Sequence, residues 1–280
     1  MKFGAHMSVS GGVQKALERG AAAGCDVIQI FVKNNMQWFG RPHPPSDVAA
    51  FKRGKSSFAS IFGHAGYLIN LGAGASENRA KSIKSFIEEI NYAGALGLPF
   101  LVLHPGAHLG AGAEAGLRQI VAGLDEVLGA TRKSKVRIAL ENTAGQGSCL
   151  GNKMEHLAAI YDAVAAPGRL GLCIDTAHLL AAGHDIRTGA GWDKTIRQID
   201  RLIGRKQILA FHLNDSKTGL GSRVDRHEDI GKGRIGLEGF RHIVNDARFE
   251  DTPGCLETHK SEDLHEDVAN LAALRSLVRR

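Results

Sequence analysis

The sequence predicts an α/β fold, a single-domain TIM (β/α)8 barrel over residues 1–280, and three observations carry that prediction. Eight short apolar runs rich in Val, Ile, Leu and Phe alternate with stretches of helical patterning from end to end. Alternation without separate strand and helix blocks favours a parallel sheet, and eight repeats suit closure into a barrel, which typically needs about 250 residues. Each run also leads to residues that bind metals or move protons, and strand C-terminal ends are where such a barrel gathers its reactive groups.

The elements follow in order. KFGAH is the first strand and ends at His6, with a helix expected over 13–23. DVIQIF is the second and leads to Asn34 and Gln37 in the loop VKNNMQWFGRP. SIFGH ends at His64, and a helix is expected over 78–96. LVLH ends at His104, RIALE at Glu141 and LGLCID at Asp175, with helices expected over 115–132 and 154–165. ILAFH ends at His212 after a helix over 193–203, and GCLE ends at Glu257. In the final stretch, Leu264, Val268, Leu271, Leu274 and Val278 recur at helical spacing with charges between them, which is one packed helix face.

Composition bounds the class. Lys and Arg number 35 against 29 Asp and Glu, a net charge of +6, and the pI is near 9.2. That mild excess suits an acidic partner such as nucleic acid without requiring one. The cysteines Cys25, Cys149, Cys173 and Cys255 are far apart, with no C-x-x-C pair and no secreted-type framework. The N-terminus has no apolar signal region, and no stretch reaches the roughly 18 apolar residues of a membrane span. The expectation is a soluble cytoplasmic protein that does not engage a membrane.

The chemistry lies in nine donors near strand ends: His64, His104, Glu141, Asp175, His178, His212, Asp225, His227 and Glu257. One such histidine is ordinarily a satisfied hydrogen-bonding residue. Five imidazoles and four carboxylates converging on one rim are costly to bury without cations, so metal binding is expected. In LCIDTAHLL, His178 follows Asp175 by three residues, so the turn aims the carboxylate at one ion and the imidazole at a neighbour. Asp225 and His227 are two apart, which in an extended loop puts both on one side to grip a single ion. Imidazole and carboxylate without thiolate suit zinc, manganese or iron, and nine donors imply two or three ions. Clustered divalent ions activate water and neutralise the leaving oxygen of an in-line displacement, which makes phosphoester hydrolysis the leading reaction class.

Other motifs carry less. GKGRIG matches G-x-G-x-x-G at Gly231, Gly233 and Gly236 but follows a polar loop instead of a strand, so it reads as a flexible loop and no nucleotide cofactor is expected. His6 ends a strand and suits a supporting role beside substrate or ligands, whereas His108 and His184 read as loop residues. Asn35, Met36 and Gln37, with Trp38 and Arg41, form an exposed mixture able to enter a DNA groove; the plainer alternative for Trp38 and Phe39 is that they cover the barrel edge. Tyr67 and Leu68, after His64, are a second candidate wedge.

The strings GAHMSVSGG, KNNMQW, HAGYLINLG, LHPGAHLG, LENTAGQG, CIDTAHLLAAGHD, HLNDSK, RVDRHEDIGKGRIG and LETH occur in this order along nearly the whole chain. In these motifs the sequence resembles the endonuclease IV family of metal-dependent DNA repair enzymes that cleave at abasic sites. The resemblance implies a monomeric TIM barrel with three zinc ions, manganese or iron replacing zinc in part, in a DNA-binding groove. It makes His64, His104 and Glu141 ligands of a first ion, with Glu141 bridging to a second that also takes Asp175, His212 and Glu257. His178, Asp225 and His227 would hold the third, and Glu141 and Glu257 would be catalytic. A hydroxide between the first two ions would attack the phosphate 5′ to an abasic sugar in duplex DNA, leaving a 3′-hydroxyl and a 5′-deoxyribose phosphate, with 3′-end cleaning as a further activity. Asn35, Met36, Gln37, Tyr67 and Leu68 would touch DNA, although Met36 stands where the family carries an arginine and cannot pair with phosphate or a base edge.

A single-metal sugar isomerase or epimerase on a related barrel is the competing reading. It would use Glu141, Asp175, His212 and Glu257 and leave the other five donors unexplained. A basic barrel that merely binds DNA would leave all nine unexplained.

Overall fold

The computed structural model describes residues 1–279. Eight parallel strands close into a barrel in chain order: β1 (Lys2–His6), β2 (Val27–Phe31), β3 (Ser60–His64), β4 (Phe100–Leu103), β5 (Arg137–Glu141), β6 (Leu170–Asp175), β7 (Ile208–His212) and β8 (Pro253–Leu256). β1 closes the ring by pairing on both sides, with His6 opposite Gln29 of β2 and Ala5 opposite Leu256 of β8. The expected runs are these strands, except that regular structure stops one residue before His104 and Glu257.

Helices α1 (Lys15–Ala22), α2 (Pro45–Gly54), α3 (Glu77–Leu96), α4 (Ala113–Ala130), α5 (Met154–Ala163), α6 (Thr176–Ala181), α7 (Gly189–Leu202), α8 (Gly236–Val244) and α9 (His265–Leu277) fill the connections. The α3 ends are set locally. Ser76 accepts the N–H of Arg79 at the start, and Gly97 takes the left-handed conformation (φ 70°) at the end. Among the described residues, no helix is long and apolar enough to cross a membrane.

Two apolar layers result. Between sheet and helices lies a continuous core that includes Phe51, Phe86, Phe211 and Phe240, all fully buried. A separate small cluster of Phe62, Phe100, Val102, Ala139, Cys173, Ala210 and Cys255 packs together, with Phe62 and Phe100 stacked at 4.7 Å. Both buried cysteines therefore act as small hydrophobes, as their apolar runs suggest. Side chains alternate faces along a strand, so a residue two beyond a member of this cluster leaves its strand on the same face, one layer nearer the C-terminal rim. Those positions are His64, His104, Glu141, Asp175, His212 and Glu257.

Candidate metal centre

Eight of the nine donors chosen from the sequence meet at this rim as three overlapping groups, and Asp225 joins the group of Asp175, His178 and His227 through contacts with both histidines. In the first, His64 Nε2 and His104 Nε2 lie 3.2 and 3.0 Å from Glu141 Oε2. His64 donates its Nδ1–H to the carbonyl of Ala65 at 2.7 Å, which leaves the Nε2 lone pair facing the carboxylate.

The second set is Glu141, Asp175, His212 and Glu257, with one ligand atom from each within 4.8 Å of the others. His212 Nδ1 lies 3.1 Å from both Glu141 Oε1 and Glu257 Oε2 and 3.9 Å from Asp175 Oδ2. Gln29 fixes its tautomer. The amide Nε2–H of Gln29 donates to Glu257 Oε1 at 2.5 Å, so Gln29 Oε1 is the atom that accepts the His212 Nε2–H at 2.8 Å. Gln29 Nε2 also donates to His6 Nδ1 at 2.9 Å, which places His6 behind the site, in the supporting role its strand end suggests.

The third set grows out of a helix cap. Asp175 ends β6 and caps α6, accepting the His178 backbone N–H at 2.7 Å, so His178 is held one turn into the helix over the same rim. His178 donates Nδ1–H to the carbonyl of Asn142 at 2.9 Å and turns Nε2 to Asp225 Oδ2 at 3.1 Å. His227 donates Nδ1–H to the carbonyl of Glu257 at 3.3 Å and turns Nε2 to Asp225 Oδ1 at 3.4 Å and Asp175 Oδ2 at 3.6 Å. Asp225 and His227 thus share one side, as their spacing predicts.

A cation fits this arrangement. Four histidines spend their N–H elsewhere and point the remaining lone pair at carboxylate oxygens about 3 Å away, a contact that is repulsive unless a proton or metal ion lies between. The buried Nε2 atoms of His178 and His227 have no hydrogen-bond partner. Protons would be the substitute. Burial alone would lower the His178 and His212 pKa, yet both are raised well above the usual imidazole range, His178 by Asp175, Asp225 and Glu141, and His212 by the Cys173 sulfur beneath it together with Glu257 and Glu141. Burial likewise opposes ionisation of Glu141 and Glu257, but facing imidazoles hold both well below the usual carboxylate range. His6, apart from the donor sets, is pushed down to about 4 by burial, against the pull of Glu257.

Asn214 and Asn142 complete the support. Asn214 Nδ2 donates to Asp175 Oδ2 at 2.7 Å while its Oδ1 accepts the Glu257 N–H at 2.7 Å. The Asn142 amide exchanges bonds with the backbone of Asp175. Sequence reasoning passed over Gln29, Asn142 and Asn214. Their signal is an amide inside or directly after an apolar strand, where an unpaired polar group is costly.

The loop residues also come together. The Tyr67 N–H donates to the carbonyl of Asn35 at 3.2 Å, joining the β2 and β3 loops. Met36 is 65% exposed and Tyr67 61%, Gln37 is exposed, and Asn35 and Leu68 are half-buried. The Tyr67 ring stands edge-on to Phe31 at 5.2 Å and to His64 at 6.2 Å, so this loop borders the first donor set. Although the side chain is largely exposed, desolvation by the packed rim, with Glu257 and Glu141 nearby, pushes the Tyr67 phenol up to about 12, which keeps its proton for donation. Against its reading as a flexible loop, GKGRIG is tied down: the N–H groups of Gly231, Gly233 and Gly236 all donate to the buried Asp215.

The family pattern described as a xylose isomerase-like TIM barrel matches residues 17–277. A protein of Chloroflexus aurantiacus named "Probable endonuclease 4" is 48% identical over 279 residues, covering 99% of this chain and 98% of that protein. One of Geobacter sulfurreducens with the same name is 47% identical over 280 residues, 99% of this chain and 95% of that protein. The crystal structure of endonuclease IV from Thermus thermophilus superposes with a TM-score of 0.86 at 32% identity, covering 99% and 98% of the two chains. Fold, donor sets and full-length similarity agree: the chain is an enzyme and belongs to the endonuclease IV family.

Proposed function

We propose that this enzyme hydrolyses duplex DNA at abasic sites, cutting the phosphodiester bond on the 5′ side to leave a 3′-hydroxyl and a 5′-deoxyribose phosphate, and that it also cleans blocked 3′ ends. One observation carries this reading: Glu141 belongs to two of the donor sets and Asp175 of the second lies within reach of His178 and His227 of the third, so more ligands meet at the rim than one ion uses. His64, His104 and Glu141 would hold one zinc ion, Glu141, Asp175, His212 and Glu257 a second, and His178, Asp225 and His227 a third. Bound together, such ions supply an activated water and charge neutralisation at the phosphate and leaving oxygen.

The remaining work falls to side chains. Glu141 sits between the first two sets, so its two oxygens fix their separation. Glu257, oriented by Gln29, contributes to the second set from the β8 end. Tyr67 and Leu68, joined to the Asn35–Gln37 loop by a backbone bond, would wedge into the damaged duplex and hold the opened strand against the rim. The excess of positive charge favours such a polyanionic partner. The whole chain reads as one domain, acting as a monomer in the bacterial cytosol.

Zinc content and cleavage of a duplex with one abasic site test the proposal. About three zinc ions per chain and a nick 5′ to the lesion support it. The four-residue set Glu141, Asp175, His212 and Glu257 would by itself serve a single-metal sugar epimerase. One bound ion with epimerisation of a ketose and no nicking would establish that reading instead.

A further inference from the structure

Asp215 is fully buried and follows Asn214 directly, three residues beyond the end of β7. Its carboxylate accepts five backbone N–H groups. Ser216 and Ile235 donate to Oδ1 at 2.8 Å each, and Gly231, Gly233 and Gly236 donate to Oδ2 at 3.0, 3.1 and 3.2 Å. The glycine string that elsewhere surrounds a phosphate here surrounds an anion belonging to the chain itself. A Cβ at Gly233 would lie 2.4 Å from Asp215 Oδ1 and 2.6 Å from the Ser216 carbonyl, so the close approach needs glycine.

The same residue anchors the other side of the loop. Asp215 and Ser216 pair antiparallel with Glu228 and His227, and the Arg234 N–H returns to the carbonyl of Ser216 at 2.8 Å. The segment 217–236 therefore leaves the barrel at Asp215, carries Asp225 and His227 over the rim, and comes back to the same carboxylate. Asp215 is distinct from the nine donors.

We propose that Asp215 is the positioning residue of the third donor set: by tying both ends of the 217–236 loop to one buried charge, it sets the register that brings Asp225 and His227 to His178. The proposal rests on the three-set reading of the rim. Asp215→Asn keeps the shape but puts an NH2 group against backbone donors, whichever way the amide turns. Gly233→Ala pries the loop from the carboxylate with the charge intact.

The test uses full-length protein stripped by chelator, reloaded with Zn2+ and gel-filtered. Zinc per chain and limited trypsin digestion are then measured for wild type, Asp215→Asn, Gly233→Ala and Asp225→Ala. Trypsin has sites at Lys217, Arg223, Arg226, Lys232 and Arg234 within the loop. The expected result is one zinc fewer than wild type in all three variants. Loop cleavage should be on the order of tenfold faster in Asp215→Asn and Gly233→Ala only, because cleavage follows the open population. Full zinc and full trypsin resistance in both would overturn the proposal. So would loss of all zinc together, which would make Asp215 a support of the whole rim. A wild type that takes up one zinc overturns the three-set reading instead, and the digestion still decides whether Asp215 holds the loop.

Discussion

Replacing Gln29 with leucine removes an amide that is itself no proposed ligand yet orients two of them, His212 and Glu257. Leucine has similar size, so the perturbation is the loss of three hydrogen bonds in a fully buried place. The His212 Nε2–H, which donates to Gln29 at 2.8 Å, is left without an acceptor, a cost of about 1–3 kcal/mol. Glu257 loses the donor that holds Oε1 at 2.5 Å, and His212 loses the bond that keeps Nδ1 bare toward the carboxylates. Outer partners of this kind are typically worth about 10–100-fold in metal affinity. The assay is competition for Zn2+ against a chromophoric chelator, with denaturant unfolding of the metal-free protein alongside. Gln29→Leu should weaken the tightest-competing zinc within that range and lower stability. Gln29→Glu, which still accepts from His212 but repels Glu257, should weaken zinc binding without the orphaned imidazole. If Gln29→Leu binds zinc within about threefold of wild type, well short of an outer-partner effect, the tautomer argument is wrong.

Glu257→Gln should retain the fold and lose incision of abasic duplex by more than the roughly 100-fold typical of outer-partner changes; normal cutting would remove Glu257 from the second set. Breaking the buried Lys33–Glu89 pair, 2.9 Å apart and at most 4% exposed, by Glu89→Gln should cost about 3–5 kcal/mol in denaturant unfolding. The double change Lys33→Met with Glu89→Leu should recover most of it. Because Lys33 also bonds the Gln37 carbonyl and Glu89 the Gly66 N–H, abasic DNA binding should weaken with zinc content unchanged. The metal-free protein should respond to pH on two sides. The raised His178 and His212 stabilise it fully below the unfolded imidazole value of about 6.5, and this is lost as pH rises through their folded values. The depressed Glu141 and Glu257 contribute above about 4.3 and are lost as pH falls toward their folded values. Zinc affinity should move oppositely on the alkaline side, rising as protons leave the ligands, and parallel slopes for the two would refute this account.

The donors were legible because of strand periodicity. His64, Glu141, Asp175 and His212 each stand two residues beyond a buried member of the inner cluster, so an apolar run with a polar end already states which face the end group takes. The D-x-x-H spacing was legible for a second reason: a strand-ending Asp is also a good helix cap, and a cap fixes where the third helical residue points. Gln29 was not legible. It lies inside its run, two residues before the strand end, and its three partners come from β1, β7 and the end of β8, which only barrel closure brings together. Asp215 failed for the same reason, since nothing local shows that its carboxylate meets amides up to 21 residues away. The glycine string looked flexible because its anion is far off in sequence.

The sharing of carboxylates among the sets has an electrostatic consequence. Glu141, Asp175, Asp225 and Glu257 give the rim a formal charge of −4 when its five imidazoles are neutral and −2 when the raised His178 and His212 are protonated, and either field repels a phosphate backbone. On the proposed occupancy by three dications, the same groups carry a net +2. Loading would therefore reverse the sign of the surface that meets DNA as well as supply the reaction's activated water. Partial loading does not divide evenly, because Glu141 serves two sets and Asp175 borders the third, so losing one ion returns a carboxylate's repulsion to its neighbour. Binding of abasic duplex should accordingly collapse on chelation even where Tyr67, Leu68 and the basic surface are untouched, and its salt dependence should weaken with it. A chelated protein that binds abasic DNA as tightly as the zinc-loaded one would place recognition in the loops alone and remove the rim from it.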